Sequence, residues 1–394
     1  MTAISKQPVT LKPGKEKPIR NRHHWIFSGA VATLPEFTDG ACLPVMTAQG
    51  ELLGSAYFNR KAKIIGRMIS FDKTPAVEAI CHNLENAVAL RRFLFAQQQI
   101  DACRLVNGEG DLLPGLVVDR YNDVLVIQVS TLGIEQFRPL IVDWLVSHLS
   151  PRCIYEKSLI PSRQEEGLKD QQGPLFGEVP AGAVEVIENG LRFAVSILHG
   201  QKTGFFLDHR EMRQMIRGLS LGKRVLNCFS YTGGFSVYAA AGGAIAVDSV
   251  DISAAAIQAA ERNMELNGFA SPMHHYYADD VFQFLRERPL DYDIVILDPP
   301  AFAKRKKDIV TACRGYKDIN RVAMQKMPKR SLLLTSSCSY HVDEALFQTV
   351  VFQAAVEAGR TVKILGRHRI APDHPVNICH PESDYLKSLL LFVE

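Results

Sequence analysis

The chain contains no apolar stretch long enough to span a membrane, so the sequence argues against a helical membrane protein. Several lysines lie near the N-terminus, but no apolar segment follows them, and we expect no signal peptide and a cytoplasmic location. Hydrophobic residues make up 47% of the chain and charged residues 22%, as in globular proteins. A length of 394 residues is too great for one ordinary core and predicts two or three domains.

Paired cysteines are also missing. The eight cysteines are scattered along the chain, and no two of them form a C-x-x-C pair. Zinc sites commonly use paired ligands of that kind, so the sequence predicts no metal site. The spacing does not match a secreted disulfide framework either, whereas reduced thiols fit a cytosolic protein.

A net charge of only +3 hides two strongly basic segments. Residues 1–70 hold ten Lys/Arg against four Asp/Glu, and residues 301–330 hold ten against two. Two basic patches on a near-neutral chain indicate a polyanionic partner that is met at defined surfaces. Solvated surface faces would give the same pattern, so charge alone leaves the partner open.

Three segments of the chain differ in pattern, and we predict a domain for each. Residues 1–72 show short strands split by glycines, and residues 73–182 mix helices with strands before a Gly-, Pro- and Gln-rich linker from Leu168 to Gly182. Residues 183–394 open with a hairpin whose Asn189-Gly190 turn suits type I′, and then strands alternate with helices. The alternation predicts an α/β domain with a doubly wound, mostly parallel sheet.

A glycine-rich turn, NCFSYTGGFS, follows the first strand of this alternation. Such a turn lets the backbone approach a nucleotide-type ligand, but it lacks the G-x-G-x-x-G spacing typical of NAD and FAD sites. An acidic residue should end the second strand and accept ribose hydroxyls; Asp251 fits this position, with Asp248 as its competitor. Asp279 and Asp280 follow the third strand and are candidates for an adenine amino group. Together these features favour a class I methyltransferase over a plain α/β scaffold.

The fourth and fifth strands end in residues that suit chemistry on a base. The fourth ends in LDPPAFAK, where Asp298 lies at the strand edge that binds ligands in open α/β sheets. Phe302 could stack on a flipped base or simply pack. The fifth ends in LLLTSSCSY, which brings Cys338 to the same edge as a nucleophile or as a small buried side chain. A nucleophilic thiol needs nearby cations, and the run from Lys304 to Lys307 could supply them.

Longer motifs resemble those of the PUA-domain-containing RNA cytosine-C5 methyltransferases that act on large-subunit ribosomal RNA. HHWIFSGAV and GSAYFNRKAKIIGRMIS are similar to the N-terminal PUA domain of that family. NGEGDLLPGLVVDRY and YEKSLIPSRQEEGL resemble its central domain, and QKTGFFLDHR, FSYTGGFS, LDPPAFAK, GYKDIN and TSSCSY resemble its methyltransferase motifs. The resemblance therefore covers nearly the whole chain.

The resemblance implies S-adenosylmethionine as cofactor, ribosomal RNA as partner, and a homodimer as one assembly to consider. It makes Cys338 the nucleophile that adds to C6 of cytosine, with Asp298 in the target pocket. It also implies that the first basic patch, with His23, His24 and Trp25, grips RNA backbone or an unpaired base. The residues that it places around the cofactor are Gln201, Thr203, Phe205, Asp208, Phe229, Tyr231, Thr232, Gly233, Asp251, Asp279 and Asp298.

One departure leaves the end of the reaction open. Many RNA cytosine-C5 methyltransferases carry a second cysteine after the fourth-strand proline, where this chain has Pro300. Asp298, Tyr340 and His341 are therefore candidates for the base that removes the C5 proton. Two rival functions also stay open: methyl transfer to guanine N2 or N7, which needs no thiol, and a non-catalytic RNA-binding assembly factor.

Overall fold

The computed structural model describes residues 7–303 and 305–394, whose contacts divide the chain into two compact units. Unit 1 holds the described residues up to Ile187 together with Val195–Leu207 and Pro372–Ser383. Unit 2 holds Glu188–Ala194, Asp208–Ala371 and Asp384–Glu394. The predicted division at residues 72 and 182 stays a prediction beside these units. Lys6 and Lys304 of the two basic segments lie outside the described residues.

Unit 1 begins with six short strands and one short helix. Apolar side chains alternate along these strands, as Leu43 and Val45 show, and they pack with Leu11, Phe58 and Met68 into one core. The elements are β1 Val9–Leu11, α1 Lys17–Arg20, β2 Trp25–Phe27, β3 Val31–Thr33, β4 Cys42–Met46, β5 Leu52–Phe58 and β6 Ile64–Ser70. The strands form one sheet in the order β2-β6-β5-β4-β1-β3.

A second sheet of unit 1 carries helices with a buried apolar face. Leu84 of the first helix and Leu145 of the second belong to the same core cluster as Val118 and Ile127 of the strands. The elements are α2 Ala76–Leu94, β7 Ala102–Asn107, β8 Leu116–Tyr121, β9 Val124–Val129, α3 Leu132–Leu149, β10 Cys153–Ser158, α4 Ser162–Glu165 and β11 Gln171–Gly177. The strand order is β11-β10-β9-β8-β7.

The predicted linker from Leu168 to Gly182 is wrong over residues 171–177, which form the edge strand β11. This strand pairs antiparallel with β10, from Ser158↔Gln171 to Cys153↔Gly177. Proline is tolerated in an edge strand, because its missing N–H can face away from the neighbouring strand. The Gly and Pro residues therefore belong to an edge strand and not to a structureless connection.

A late segment of the chain, Pro372–Ser383, returns to unit 1. The Asp373 carbonyl accepts a 2.6 Å hydrogen bond from Arg91, and its carboxylate accepts a 2.9 Å bond from the Arg104 backbone N–H. The Pro375 carbonyl accepts a 3.0 Å bond from the Asn107 side chain. These bonds tie residues far apart in sequence to the same sheet.

The predicted Asn-Gly hairpin is confirmed by β12 Val184–Glu188 and β13 Leu191–Val195. Asn189 has φ 52° and Gly190 has φ 78°, and a type I′ turn requires positive values at both positions. The following helix, α5 Arg210–Leu219, buries Arg210 and Arg213 in unit 2, where both guanidinium groups pair with the buried Glu188 carboxylate.

A seven-stranded sheet forms the centre of unit 2. Its elements are β14 Arg224–Cys228, α6 Gly234–Ala241, β15 Ala246–Asp251, α7 Ala254–Leu266, β16 His274–Ala278, α8 Val281–Glu287, β17 Ile294–Leu297, α9 Ile309–Lys326, β18 Ser331–Ser337, α10 Glu344–Ala358, β19 Val362–His368 and β20 Lys387–Val393. The strand order is β16-β15-β14-β17-β18-β20-β19, and only β20 runs antiparallel to its neighbours.

This sheet confirms the predicted fold class. The neighbours β15, β14, β17 and β18 are parallel, so their carboxyl ends meet at one edge of the sheet. That edge carries the glycine turn, Asp251, Asp298 and Cys338, as the sequence predicted. No helix among the described residues is both long and apolar enough to span a membrane.

Candidate active site

The turn between β14 and α6 is built from residues with unusual backbone conformations. Phe229, Tyr231 and Gly233 all have positive φ, at 58°, 47° and 76°. A side chain at Gly233 would also collide with α7, since a Cβ there would lie 2.8 Å from Cβ of Ala260. Glycine is therefore required at this point by both backbone conformation and space. A turn held in sparsely populated conformations is typical of functional sites.

Asp251, at the end of β15, holds this turn in place. One carboxylate oxygen accepts a 2.9 Å hydrogen bond from the Tyr231 N–H, and the other accepts a 2.9 Å bond from the Ser253 N–H. Its competitor Asp248 is buried and accepts hydrogen bonds from the Tyr292 hydroxyl at 2.6 Å and from His275 at 2.9 Å. Asp251 is thus the strand-end carboxylate beside the turn, and Asp248 is a structural group.

The two acidic residues after β16 have different roles. Asp280 caps α8, since its carboxylate accepts a 3.0 Å hydrogen bond from the Gln283 N–H. Asp279 lies beside Asp251, because its backbone N–H donates to the Asp251 carbonyl at 3.0 Å. Asp279 is therefore the member of the pair that sits next to the glycine turn and Asp251.

Asp298 follows β17 and pairs with a histidine that the sequence analysis missed. Nε2 of His209 lies 3.3 Å from Oδ2 of Asp298. The His209 side chain is only 5% exposed, whereas that of Asp298 is 21% exposed and can meet a ligand. His209 also packs edge-on against Phe235 of α6. Its position within QKTGFFLDHR, directly after the predicted Asp208, was the signal that could have revealed it.

Cys338 follows β18, the strand next to β17, and its thiol is partly buried. The sulfur lies 3.9 Å from the Pro299 carbonyl, directly after Asp298. The next residue, Ser339, is fixed by several hydrogen bonds: its hydroxyl meets the Tyr316 hydroxyl at 2.9 Å and the Ala303 N–H at 3.1 Å, and its carbonyl accepts from Lys387. The thiol therefore stands at the same sheet edge as Asp298.

Lys387 is a buried cation near Cys338, since it is bonded to the carbonyl of the next residue, Ser339. Its ammonium donates to the carbonyls of Ser339 at 2.6 Å and Tyr385 at 2.8 Å, and the side chain is 9% exposed. Burial lowers the pKa of Lys387, while the nearby Cys338 acts in the opposite direction. The Lys304–Lys307 run was the predicted source of this charge, although the single lysine inside the apolar strand YLKSLLLF was a visible signal.

The other aromatic and basic candidates lie around this edge. The ring of Phe302 packs 4.6 Å from that of Tyr316 and 5.9 Å from that of Phe282, so its contacts in unit 2 are those of a core side chain. Tyr340 is 53% exposed and contacts His341 edge-on at 5.2 Å. The described part of the basic run, residues 305–307, is exposed.

The QKTGFFLDHR residues are divided between the two units. Gln201, Thr203 and Phe205 belong to unit 1, and Asp208 belongs to unit 2. Gln201 is exposed, whereas Phe205 is buried. Within unit 1 the Thr203 hydroxyl donates to Asp119 at 2.6 Å. Within unit 2 the Asp208 carboxylate accepts a 2.6 Å bond from the Tyr385 hydroxyl.

The predicted RNA contact through His24 is wrong, because this side chain has no exposed surface. His24 instead packs edge-on against Phe71, with ring centroids 5.1 Å apart. Trp25 is partly buried, and its indole N–H donates to Glu109 at 2.9 Å. Trp25 and His23 line a pocket of about 500 Å³ beside the first sheet, with Phe27 and Lys15 on its wall.

Comparisons with known proteins agree with this geometry. Residues 169–379 match the family model described as S-adenosylmethionine-dependent methyltransferase, and residues 9–71 match that of a PUA-like domain. The chain is 40% identical to Ribosomal RNA large subunit methyltransferase I of Shewanella denitrificans over 97% of this chain and 98% of that protein. It is also 40% identical to the protein of that name from Aliivibrio fischeri, over 96% and 97%.

Among solved structures, a methyltransferase complexed with SAH superposes with a TM-score of 0.85 at 26% identity. The match covers 98% of this chain and 100% of that one. The similarity therefore extends over both units and is not confined to the seven-stranded sheet.

Proposed function

Because the chain belongs to the family of S-adenosylmethionine-dependent methyltransferases, we propose that it methylates C5 of a cytosine in large-subunit ribosomal RNA. The names of its relatives support the RNA substrate, which would be met in the cytoplasm. The position of Cys338 supports the cytosine target, since C5 becomes nucleophilic only when a group adds at C6. The observation that carries the proposal is this thiol at the end of β18, next to Pro299 and one strand from Asp298.

The residues at the sheet edge fit S-adenosylmethionine. The turn at Phe229–Gly233 has no side chain at Gly233, its point of closest approach to Ala260. The Ser230 hydroxyl is buried in the same turn and has no hydrogen-bond partner among the described residues. The Asp251 carboxylate binds two backbone N–H groups and retains lone pairs for ribose hydroxyls. We assign to the cofactor site the other predicted residues of unit 2 as well: Asp208, Tyr231, Thr232, Asp279 and Asp298.

The thiolate of Cys338 begins the reaction by forming a bond to C6 of the cytosine. The electron pair of the C5–C6 double bond then becomes available at C5. S-adenosylmethionine, when bound, would supply the electrophilic methyl group for C5, and its sulfonium would leave as the neutral thioether of S-adenosylhomocysteine. Lys387 supports the first step, because its buried ammonium is bonded to the carbonyl of Ser339, the residue after Cys338, and a nearby positive charge stabilises a thiolate relative to the thiol.

Release of the product needs a base for the C5 proton, and we assign this role to Asp298. Its carboxylate is accessible and is held by His209 at 3.3 Å. The proton passes to the carboxylate, the electrons of the C–H bond restore the C5–C6 double bond, and the bond from C6 to sulfur breaks. Tyr340 and His341 were alternatives in the sequence, but Tyr340 is mostly exposed and contacts His341.

Exposed cations near the edge of unit 2 suit an RNA backbone. Several basic residues of α9 pair with protein groups, as Lys317 does with Glu357 at 2.8 Å. Other exposed cations of this segment follow β17, on the side of the carboxyl edge, and we assign to them the attraction of RNA phosphates. They are Arg305, Lys306, Lys307 and Arg314.

The test is nucleoside mass spectrometry on unmodified large-subunit ribosomal RNA after incubation with the protein and S-adenosylmethionine. We expect new 5-methylcytidine, and we expect none with Cys338→Ala. Cys313→Ala is the matched control, since Cys313 is also a partly buried free cysteine of unit 2. A methylguanosine product, or full activity of Cys338→Ala, would refute the thiol mechanism while leaving the family unchanged.

A further inference from the structure

Two histidines and a glutamate of unit 1 direct their side chains toward one another. Nε2 of His23 lies 3.3 Å from Oε1 of Glu382, and Nδ1 of His380 lies 3.8 Å from Oε2 of the same carboxylate. One ligand atom of each residue lies within 4.8 Å of the others. Ligands of a tetrahedral zinc ion are about 3.3–3.4 Å apart, given metal bonds of about 2.0–2.1 Å. Small side-chain movements would therefore bring all three onto one ion.

A second observation points to a ligand at this cluster. His380 is 1% exposed, and its Nδ1 is buried without a hydrogen-bond partner among the described residues. Oε2 of Glu382 is buried without one as well. Buried polar atoms are nearly always satisfied by protein, water or an ion. Two such atoms that face each other across 3.8 Å leave a position that a cation would satisfy.

We propose that His23, His380 and Glu382 bind one divalent transition-metal ion of the zinc type. Two imidazoles and one carboxylate are ligands that zinc prefers, and three protein ligands leave a fourth position for water. The His23 and Glu382 side chains also line the 500 Å³ pocket beside the first sheet, which gives the ion a path from solvent. The absence of cysteine pairs, from which the sequence predicted no metal, does not bear on this type of site.

The surrounding residues fix the orientation of the His380 ring, whereas metal binding at His23 would break an existing hydrogen bond. Burial lowers the pKa of the His380 imidazole. The rings of Trp25 and His24 pack against it at 4.5 Å and 5.8 Å and fix its orientation. If His23 binds the ion through Nε2, its ring proton moves to Nδ1. The 3.2 Å hydrogen bond that Nδ1 accepts from the Trp25 backbone N–H is then lost.

The ion would join parts of the chain that are very distant in sequence. His23 lies between α1 and β2, whereas His380 and Glu382 lie in the returning segment Pro372–Ser383, and 359 positions separate His23 from Glu382. Closing so long a loop restricts the unfolded chain more than closing a short one. We therefore expect the ion to raise the melting temperature of unit 1.

The test is titration calorimetry of the full chain with Zn²⁺ after removal of metal by a chelator. We expect one ion per chain, a rise in melting temperature, and a loss of affinity of at least about 100-fold in His380→Gln, since even outer partners of a metal cost about 10–100-fold. His82→Gln is the matched control, because His82 is an exposed histidine of unit 1. Should His380→Gln fail to fold, Glu382→Gln, which keeps the side-chain size, gives the same comparison.

Cobalt substitution identifies the ligands. A Co²⁺ spectrum without a thiolate charge-transfer band supports histidine and carboxylate ligands, and a spectrum with one means that cysteines hold the ion and overturns the proposal. Unchanged Zn²⁺ affinity in both variants also overturns it. So does the absence of binding, which would leave an ordered water to satisfy His380 and Glu382.

Discussion

Replacing Lys387 by methionine should make the Cys338 thiol harder to ionise. The substitution keeps the length of the side chain and removes its charge, which interacts with the thiol from a buried position. Removal also takes away the Lys387 hydrogen bond to the Tyr385 carbonyl and one of the two that the Ser339 carbonyl accepts, at a cost of about 1–3 kcal/mol in the free energy of unfolding. The assay must therefore separate the electrostatic effect from the loss of stability.

The expected size follows from the burial of the charge. An opposite charge within about 4–6 Å changes a pKa by about 1–3 units, and one unit corresponds to about 1.4 kcal/mol. Lys387 is 9% exposed, so solvent screens its field only weakly. We expect the pH midpoint of Cys338 alkylation to rise by about 1–3 units in Lys387→Met, and methylation below that midpoint to slow by about 10–1000-fold.

Alkylation by iodoacetamide, followed at the Cys338 peptide by mass spectrometry, measures the midpoint directly. Lys157→Met is the matched control: Lys157 is also buried and donates to two carbonyls, those of Ile197 at 2.7 Å and Gly200 at 2.5 Å, but in unit 1. It should leave the Cys338 midpoint unchanged, and Lys387→Arg should keep the midpoint near its original value. A midpoint that does not move in folded Lys387→Met would refute the electrostatic role.

Three further substitutions test other parts of unit 2. Asp251→Ala should weaken binding of S-adenosylhomocysteine by about 10–150-fold, the effect of losing about 1.5–3 kcal/mol from a charged hydrogen bond; calorimetry showing equal affinity would contradict its assignment to the ribose. Gly233→Ala should reduce this affinity and the melting temperature more than Gly268→Ala does, because both glycines have positive φ but only Gly233 faces a close neighbour, Ala260; equal losses in the two variants would mean that backbone conformation alone matters. Glu188→Gln should cost about 3–5 kcal/mol in the free energy of unfolding, since it leaves two buried arginines without their carboxylate; a change below about 1 kcal/mol in denaturation followed by circular dichroism would disprove the dependence on this charge.

Local signals in the sequence predicted most of the elements of the seven-stranded sheet. The Asn189-Gly190 turn forms where expected because positive φ is a property of those residues themselves. The helix predicted from AAAIQAAERNMEL is α7 Ala254–Leu266, which begins after the cap residue Ser253. The carboxyl-edge positions of Asp251, Asp298 and Cys338 followed from strand order, so these parts of the site could be predicted without coordinates.

Features that depend on distant partners could not be predicted in this way. Lys387 reaches Ser339 across 48 positions, and His209 meets Asp298 across the sheet edge, so no local pattern relates them. The edge strand β11 was mistaken for a linker because Gly and Pro residues occur both in linkers and in edge strands. His24 was expected to grip RNA as part of the first basic patch, but packing against Phe71 buries it completely.

The return of Pro372–Ser383 to unit 1 has a consequence for the order of events during synthesis. Domains generally fold from the N-terminus while the chain is made at about 5–20 residues per second. The strands of unit 1 are all translated early, yet the hydrogen bonds of Arg91 and Arg104 to Asp373 cannot form until Asp373 has been made. Synthesis from Leu207 to Ser383 takes about 9–35 s at that rate, and for this time the ribosome carries a first unit that lacks its last segment. A nascent chain released before Ser383 would retain its early sheets but would lack the complete segment Pro372–Ser383 that is bonded to one of them.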